Sequence, residues 1–141
     1  MKKYTQEEFD AIERDENGYK HCPTGDYTDV KHFGKRCSFG ERCSFGERCS
    51  FGERCSFGEC CLIERKYELK EIFKAEGLGS KNRMTYFFML TDNRVLVRCG
   101  CFLGMLDEFV EQVKETHGGS KYAREYLMCV ELAKLHFGLE D

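Results

Sequence analysis

FGKRCS at 33–38, FGERCS at 39–44, 45–50 and 51–56, and FGECCL at 57–62 repeat one six-residue phrase without interruption. Phe33, Phe39, Phe45, Phe51 and Phe57 hold its first position, with a glycine after each. Two mostly charged residues follow, then cysteine, then usually serine. A fixed short period with one bulky apolar residue and one small residue per unit is the mark of repeated supersecondary structure. In this phase the small residue at position five faces a tight interior, glycine at position two permits backbone geometry that a side chain would hinder, and the Glu-Arg pair faces water.

The phase runs on beyond the wording. Counting forward by six from Phe57 reaches Ile63, Leu69 and Ala75, and counting backward from Phe33 reaches Tyr27. Position one is thus apolar from Tyr27 to Ala75, which makes nine units ending at Ser80. Three hexads close one coil of eighteen residues, so nine make three coils. Residues eighteen apart then stack at the strand spacing of ~4.8 Å, Phe33 on Phe51 and Phe39 on Phe57. Over Leu62–Glu76 an amphipathic helix competes, because Ile63, Tyr67, Leu69, Ile72 and Phe73 also form a loose helical stripe.

The flanks follow ordinary signals. Thr5 and Glu8 form a capping box that predicts a helix from Gln6 to about Asp15, with Phe9 and Ile12 on its inner stripe. Met84–Leu90 and Val95–Arg98 read as two strands around a turn at Thr91–Arg94. Asp107–His117 reads as a helix with Leu106, Phe109, Val110 and Val113 on one face. Ser120 caps a second helix to Phe137, with Tyr122, Tyr126, Leu127, Val130, Leu132 and Leu135 apolar. The fold class expected is mainly β with helices: a short, three-coil left-handed hexapeptide β-solenoid with an N-terminal capping helix, a β-hairpin and two C-terminal helices. The expected organisation is one compact domain, with a cap at 1–26, the solenoid at 27–80, strands at 81–104 and a two-helix cap at 105–141.

Composition narrows the chemistry. The chain has 141 residues, 41% hydrophobic and 33% charged, with net charge −3. That charge gives no global pull toward nucleic acid or anionic lipid, and no apolar run approaches a membrane span of ~20 residues. Two lysines at the N-terminus precede no apolar stretch, so no secretory signal is read and a cytoplasmic location is expected. Cys37, Cys43, Cys49, Cys55 and Cys61 follow the repeat phase, so the count of ten cysteines reflects duplication, and thiols are expected in place of disulfides.

A spacing of five residues between cysteines is not that of a zinc site. Cys99 and Cys101, joined by Cys22 or His21, form the one metal-ligating set to weigh against core and turn roles. Of His21, His32, His117 and His136, only His32 abuts the repeat, and His117 suits a helix C-terminus. Gly77–Lys81 lacks the Walker spacing. No catalytic, cofactor-binding or metal-binding residue is assigned, and no cofactor is expected.

The phrase FGERCS resembles the hexapeptide repeat of left-handed β-helix proteins, with phenylalanine and cysteine standing where aliphatic and other small residues are usual. Many such proteins are trimeric acyltransferases and some are carbonic anhydrases, but no residue of these repeats matches their catalytic histidines. A nearer resemblance is to phage-borne and gut-bacterial proteins without an established activity. It rests on Glu7–Phe9, Asp15–Gly18, Cys22–Tyr27, a variable number of FGExC units, Gly100–Phe102, Phe109, Val113 and His117–Gly119. It implies a small phage or mobile-element accessory protein. A rigid capped solenoid without a catalytic constellation reads as a non-enzymatic interaction or scaffold protein, and if phage-borne as an anti-defence factor in the host cytoplasm. The expected partner is a host protein or a second copy of the chain in a homo-oligomer; neither membrane nor nucleic acid is expected. The alternatives are an oligomeric hexapeptide-repeat enzyme or small-molecule binder with a site at the subunit interface, and a weak nucleic-acid binder using the basic stretch 63–98.

Overall fold

The computed structural model describes residues 1–81 and 83–139; the expected segments 81–104 and 105–141 include Asn82, Glu140 and Asp141, which lie outside the described residues. The chain divides into two compact units, Met1–Glu71 and Ile72–Asp141.

In the first unit, helix α1 (Gln6–Asp10) is followed by β1 (Lys20–Cys22), β2 (Asp26–Tyr27), β3 (Cys37–Phe39), β4 (Ser44–Phe45), β5 (Ser56–Phe57) and β6 (Cys61–Ile63). Thr5 and Glu8 close the capping box as the sequence predicts, but α1 ends at Asp10, five residues short. The Ile12 amide turns back to the Phe9 carbonyl (3.1 Å), and Arg14 bridges to Lys20.

Residues eighteen apart pair in parallel: Ser38 with Ser56, Phe39 with Phe57, Asp26 with Ser44, and Ser44 with Leu62. Their rings stack in columns, Phe33 on Phe51 (4.8 Å, 6°) and Phe39 on Phe57 (5.4 Å, 5°). Tyr27 lies on Phe45 (6.0 Å), and neighbouring columns meet edge to face, as at Phe39–Phe45 (4.8 Å, 86°). Offset stacks and edge contacts are the favourable arrangements of aromatic quadrupoles. Phe9 of α1 packs edge-on against Phe33 (5.0 Å).

Glycine at position two does permit backbone geometry that a side chain would hinder, by a left-handed φ of 72° at Gly34 and by close backbone approach in the later units. Gly40, Gly46, Gly52 and Gly58 are not left-handed; a Cβ on Gly52 would lie 2.5 Å from the Lys35 amide nitrogen, and one on Gly58 2.7 Å from that of Glu41. The Gly52 amide donates to the Gly34 carbonyl at 2.7 Å. Glycine is needed because the backbone eighteen residues earlier occupies the space of a side chain. The left-handed residue sits at position four, at Arg36, Arg42, Arg48, Arg54 and Cys60 (φ 54° to 62°).

The expected three-coil left-handed solenoid over 27–80 is not the architecture. The strands form a three-stranded parallel sheet, β1-β3-β5, and a seven-stranded sheet in which parallel pairing gives way to antiparallel pairing. The change comes where glycine is lost from position two. Glu64 replaces it, and Glu64 and Arg65 are both left-handed (φ 52° and 66°). Two consecutive left-handed residues reverse a strand. The Lys66 amide closes the turn on the Ile63 carbonyl (3.2 Å), and Cys61–Ile63 pairs antiparallel with Tyr67–Leu69. The segment Leu62–Glu76 is therefore neither a further coil nor a helix; most of it lies in strand β7, Tyr67–Leu78.

Strand β7 continues into the second unit, which holds β8 (Arg83–Leu90), β9 (Val95–Cys99), β10 (Phe102–Met105) and helices α2 (Leu106–His117) and α3 (Lys121–Phe137). The order of the seven-stranded sheet is β10-β9-β8-β7-β6-β4-β2. Phe87, Met89, Val95 and Val97 share one buried cluster with Phe109 and Val113 of α2 and Tyr126 and Val130 of α3. The helices thus cover a face of β8 and β9. Leu132 and Leu135, read as part of the apolar face of α3, point to solvent; Ala123, Cys129 and Ala133 take the inner positions. Among the described residues, no helix is long and apolar enough to cross a membrane.

Candidate functional site

The second unit carries a half-open cavity of about 390 Å³. Its apolar lining comes from Phe102 on β10, Phe109 and Val113 on α2, and the ring of Tyr126 on α3. Phe109 meets Phe102 at 5.5 Å and Tyr126 edge-on at 5.7 Å. The polar lining comes from Arg83 at the start of β8, Gln112, Thr116 and His117 on α2, and the two cysteines flanking Gly100.

Each polar group is placed by local sequence. Gly100 is left-handed (φ 59°), and the Arg83 guanidinium lies where its Cβ would be. The glycine between Cys99 and Cys101 therefore both turns the chain and makes room for the arginine. Gln112 and Thr116 lie one helical turn apart, and the Gln112 amide donates to the Thr116 hydroxyl (3.0 Å). His117 ends α2 and stacks on Tyr126 (5.6 Å, 27°).

Buried Cys99 belongs to a chain of hydrogen bonds. The Thr85 hydroxyl donates to its sulfur (3.3 Å), the thiol donates to the Tyr126 oxygen (3.7 Å), and the Tyr126 hydroxyl donates to the Leu78 carbonyl (3.2 Å). Burial, then the thiol contact, pushes the Tyr126 phenol up to about 12. The network fixes the position of the Tyr126 ring in the wall of the cavity.

The remaining candidates are spread along the chain. His32 sits 3.1 Å from the Ser50 hydroxyl, and His21 pairs with Asp15 (2.8 Å). His136 packs on Phe73 (4.8 Å). Cys99 and Cys101 are not joined by a third ligand: among the described residues no group of three or more His, Cys, Asp or Glu side chains could hold a metal ion.

None of the ten cysteines forms a disulfide. In the repeat, the thiol bonds the glycine carbonyl of its own unit, Cys43 to Gly40 (3.2 Å), Cys49 to Gly46 (3.6 Å) and Cys55 to Gly52 (3.5 Å). Cysteine therefore fills a small core position and also supplies a weak donor to a corner carbonyl.

A second feature lies on α3. Met128, Leu132 and Leu135 are 74%, 51% and 60% exposed and fall on one line at helical spacing. Arg124, Glu125 and Glu131 border them, also exposed. The comparisons add no known counterpart: no family model, no curated protein and no solved structure matches the chain.

Proposed function

We propose that this chain is a non-enzymatic interaction protein that docks a helix of another protein along α3. The observation that supports this is the exposed line of Met128, Leu132 and Leu135. An apolar centre with charged residues at its margin has the composition of an interface, and a stripe one helix wide suits a helical partner. Methionine at the end of the stripe adds a side chain able to adapt to its contact. The repeats serve as a rigid scaffold, held by stacked rings. The resemblance to phage-borne proteins supports a host protein as the partner and the host cytoplasm as the place of action.

The test is affinity capture from bacterial host lysate with the natural chain and with Leu132→Glu, followed by sedimentation of the purified chain. One stoichiometric partner should bind, and Leu132→Glu should weaken it at least tenfold, about 1.4 kcal/mol or more, with an unchanged circular dichroism spectrum. Equal capture by both chains, or self-association alone, counts against this reading.

A further inference from the structure

The cavity of the second unit suggests a small-molecule site that is independent of any protein partner. Its one cationic side chain of fixed charge is Arg83, held against Gly100. Among the described residues no carboxylate pairs with it; Glu125, the acid beside Tyr126, accepts instead from the Gly79 amide (3.2 Å). A guanidinium at the wall of an apolar cavity is matched by a planar anion, which it can hold through two parallel hydrogen bonds.

The rest of the lining defines the other end of the ligand. Phe102, Phe109 and Tyr126 supply three aromatic rings with centroids 5.5 and 5.7 Å apart in sequence, spacing that suits further edge and offset ring contacts. A cavity of ~150 Å³ accepts one benzene. A cavity of about 390 Å³ therefore has room for a two-ring body with a small charged group. Gln112 and Thr116 bring neutral polar groups and His117 stacks on Tyr126, so the one fixed cation, Arg83, balances one negative charge. A phosphate monoester would bring nearly two.

We propose that this cavity binds a small aromatic carboxylate, with the ring system among Phe102, Phe109 and Tyr126 and the carboxylate on Arg83. The probe is 2-naphthoate, titrated into the full chain labelled with nitrogen-15 and followed by amide chemical shifts. Controls are neutral 2-naphthamide and 1-naphthyl phosphate. The naphthoate should bind with Kd of about 0.1 mM and shift the amides of Phe102, Gln112, Thr116 and Tyr126. The amide should bind at least tenfold more weakly. Arg83→Gln should weaken naphthoate at least tenfold and leave 2-naphthamide unchanged, a split that loss of structure would not produce. Equal binding of naphthoate and naphthamide, shifts confined to other residues, tighter binding of the phosphate, or no binding at about 5 mM would each overturn the proposal. The comparison of the three probes needs no variant, so it stands even if Arg83→Gln fails to fold.

Discussion

Cys37 shows how a residue of the repeat is tied into its surroundings. Its thiol donates to the Phe33 carbonyl (3.0 Å). A hydrogen bond with Cys22 pushes its pKa up to about 11, opposed next by a hydrogen bond with Cys55 and helped by burial. A thiol whose folded value lies above its unfolded value, near 9, stabilises the fold fully below pH 9. That contribution is lost as pH rises toward 11. Unfolding free energy measured by urea titration should therefore fall between pH 9 and 11, and Cys37→Ser should flatten the fall. An identical alkaline slope in the variant would show that the thiol contributes nothing there. The six-residue spacing marked this cysteine as a small interior residue. Its bond to a corner carbonyl was not legible, because a weak sulfur donor leaves no pattern distinct from any other small side chain.

At the scale of the element, the hairpin at Ile63–Lys66 ends the parallel stacking. Glu64 is buried, and its carboxylate accepts from the Arg48 amide (3.2 Å). Glu64→Ala removes that acceptor and leaves the amide short of one partner, which costs about 1–2 kcal/mol. A fall in the urea midpoint of that size checks the role; an unchanged midpoint would remove it. The change of direction was visible in one letter, since glycine is absent from position two at Glu64. The apolar phase nevertheless continued through Ile63 and Leu69, both buried, and masked it. Apolar periodicity reports which residues face inward and is blind to whether the next strand runs parallel or antiparallel. The same blindness affected α3, where the small residues Ala123, Cys129 and Ala133 took the inner face and left Leu132 and Leu135 outside. The cavity was still less legible, because Arg83, Gly100, Gln112 and Tyr126 are far apart in sequence and meet only through packing within the second unit.

At the scale of the whole molecule, the eighteen-residue register governs how much length the chain can accept. Ser38 pairs with Ser56, and Ser44 with Leu62. Inserting three FGERCS units after Ser56 adds one full register step and returns the chain to β6 in phase. Inserting one unit carries it only a third of the way and mispairs β6. The long insertion should keep a cooperative thermal transition within a few degrees of the natural chain, and the short one should lower it by about 10 °C or more, equivalent to roughly 2–4 kcal/mol. Equal tolerance of both insertions would contradict the register.

Close backbone approach at position two holds the repeat together: Gly52 faces the Gly34–Lys35 backbone, and the Gly52 amide donates to the Gly34 carbonyl. Gly119, by contrast, has open space around its Cβ position and no left-handed φ. The decisive measurement is equilibrium urea unfolding of Gly52→Ala beside Gly119→Ala. The predicted result is a loss of about 2–3 kcal/mol for Gly52→Ala, with Gly119→Ala neutral or stabilising by up to about 1 kcal/mol. A Gly52→Ala chain as stable as the natural one would contradict the central claim.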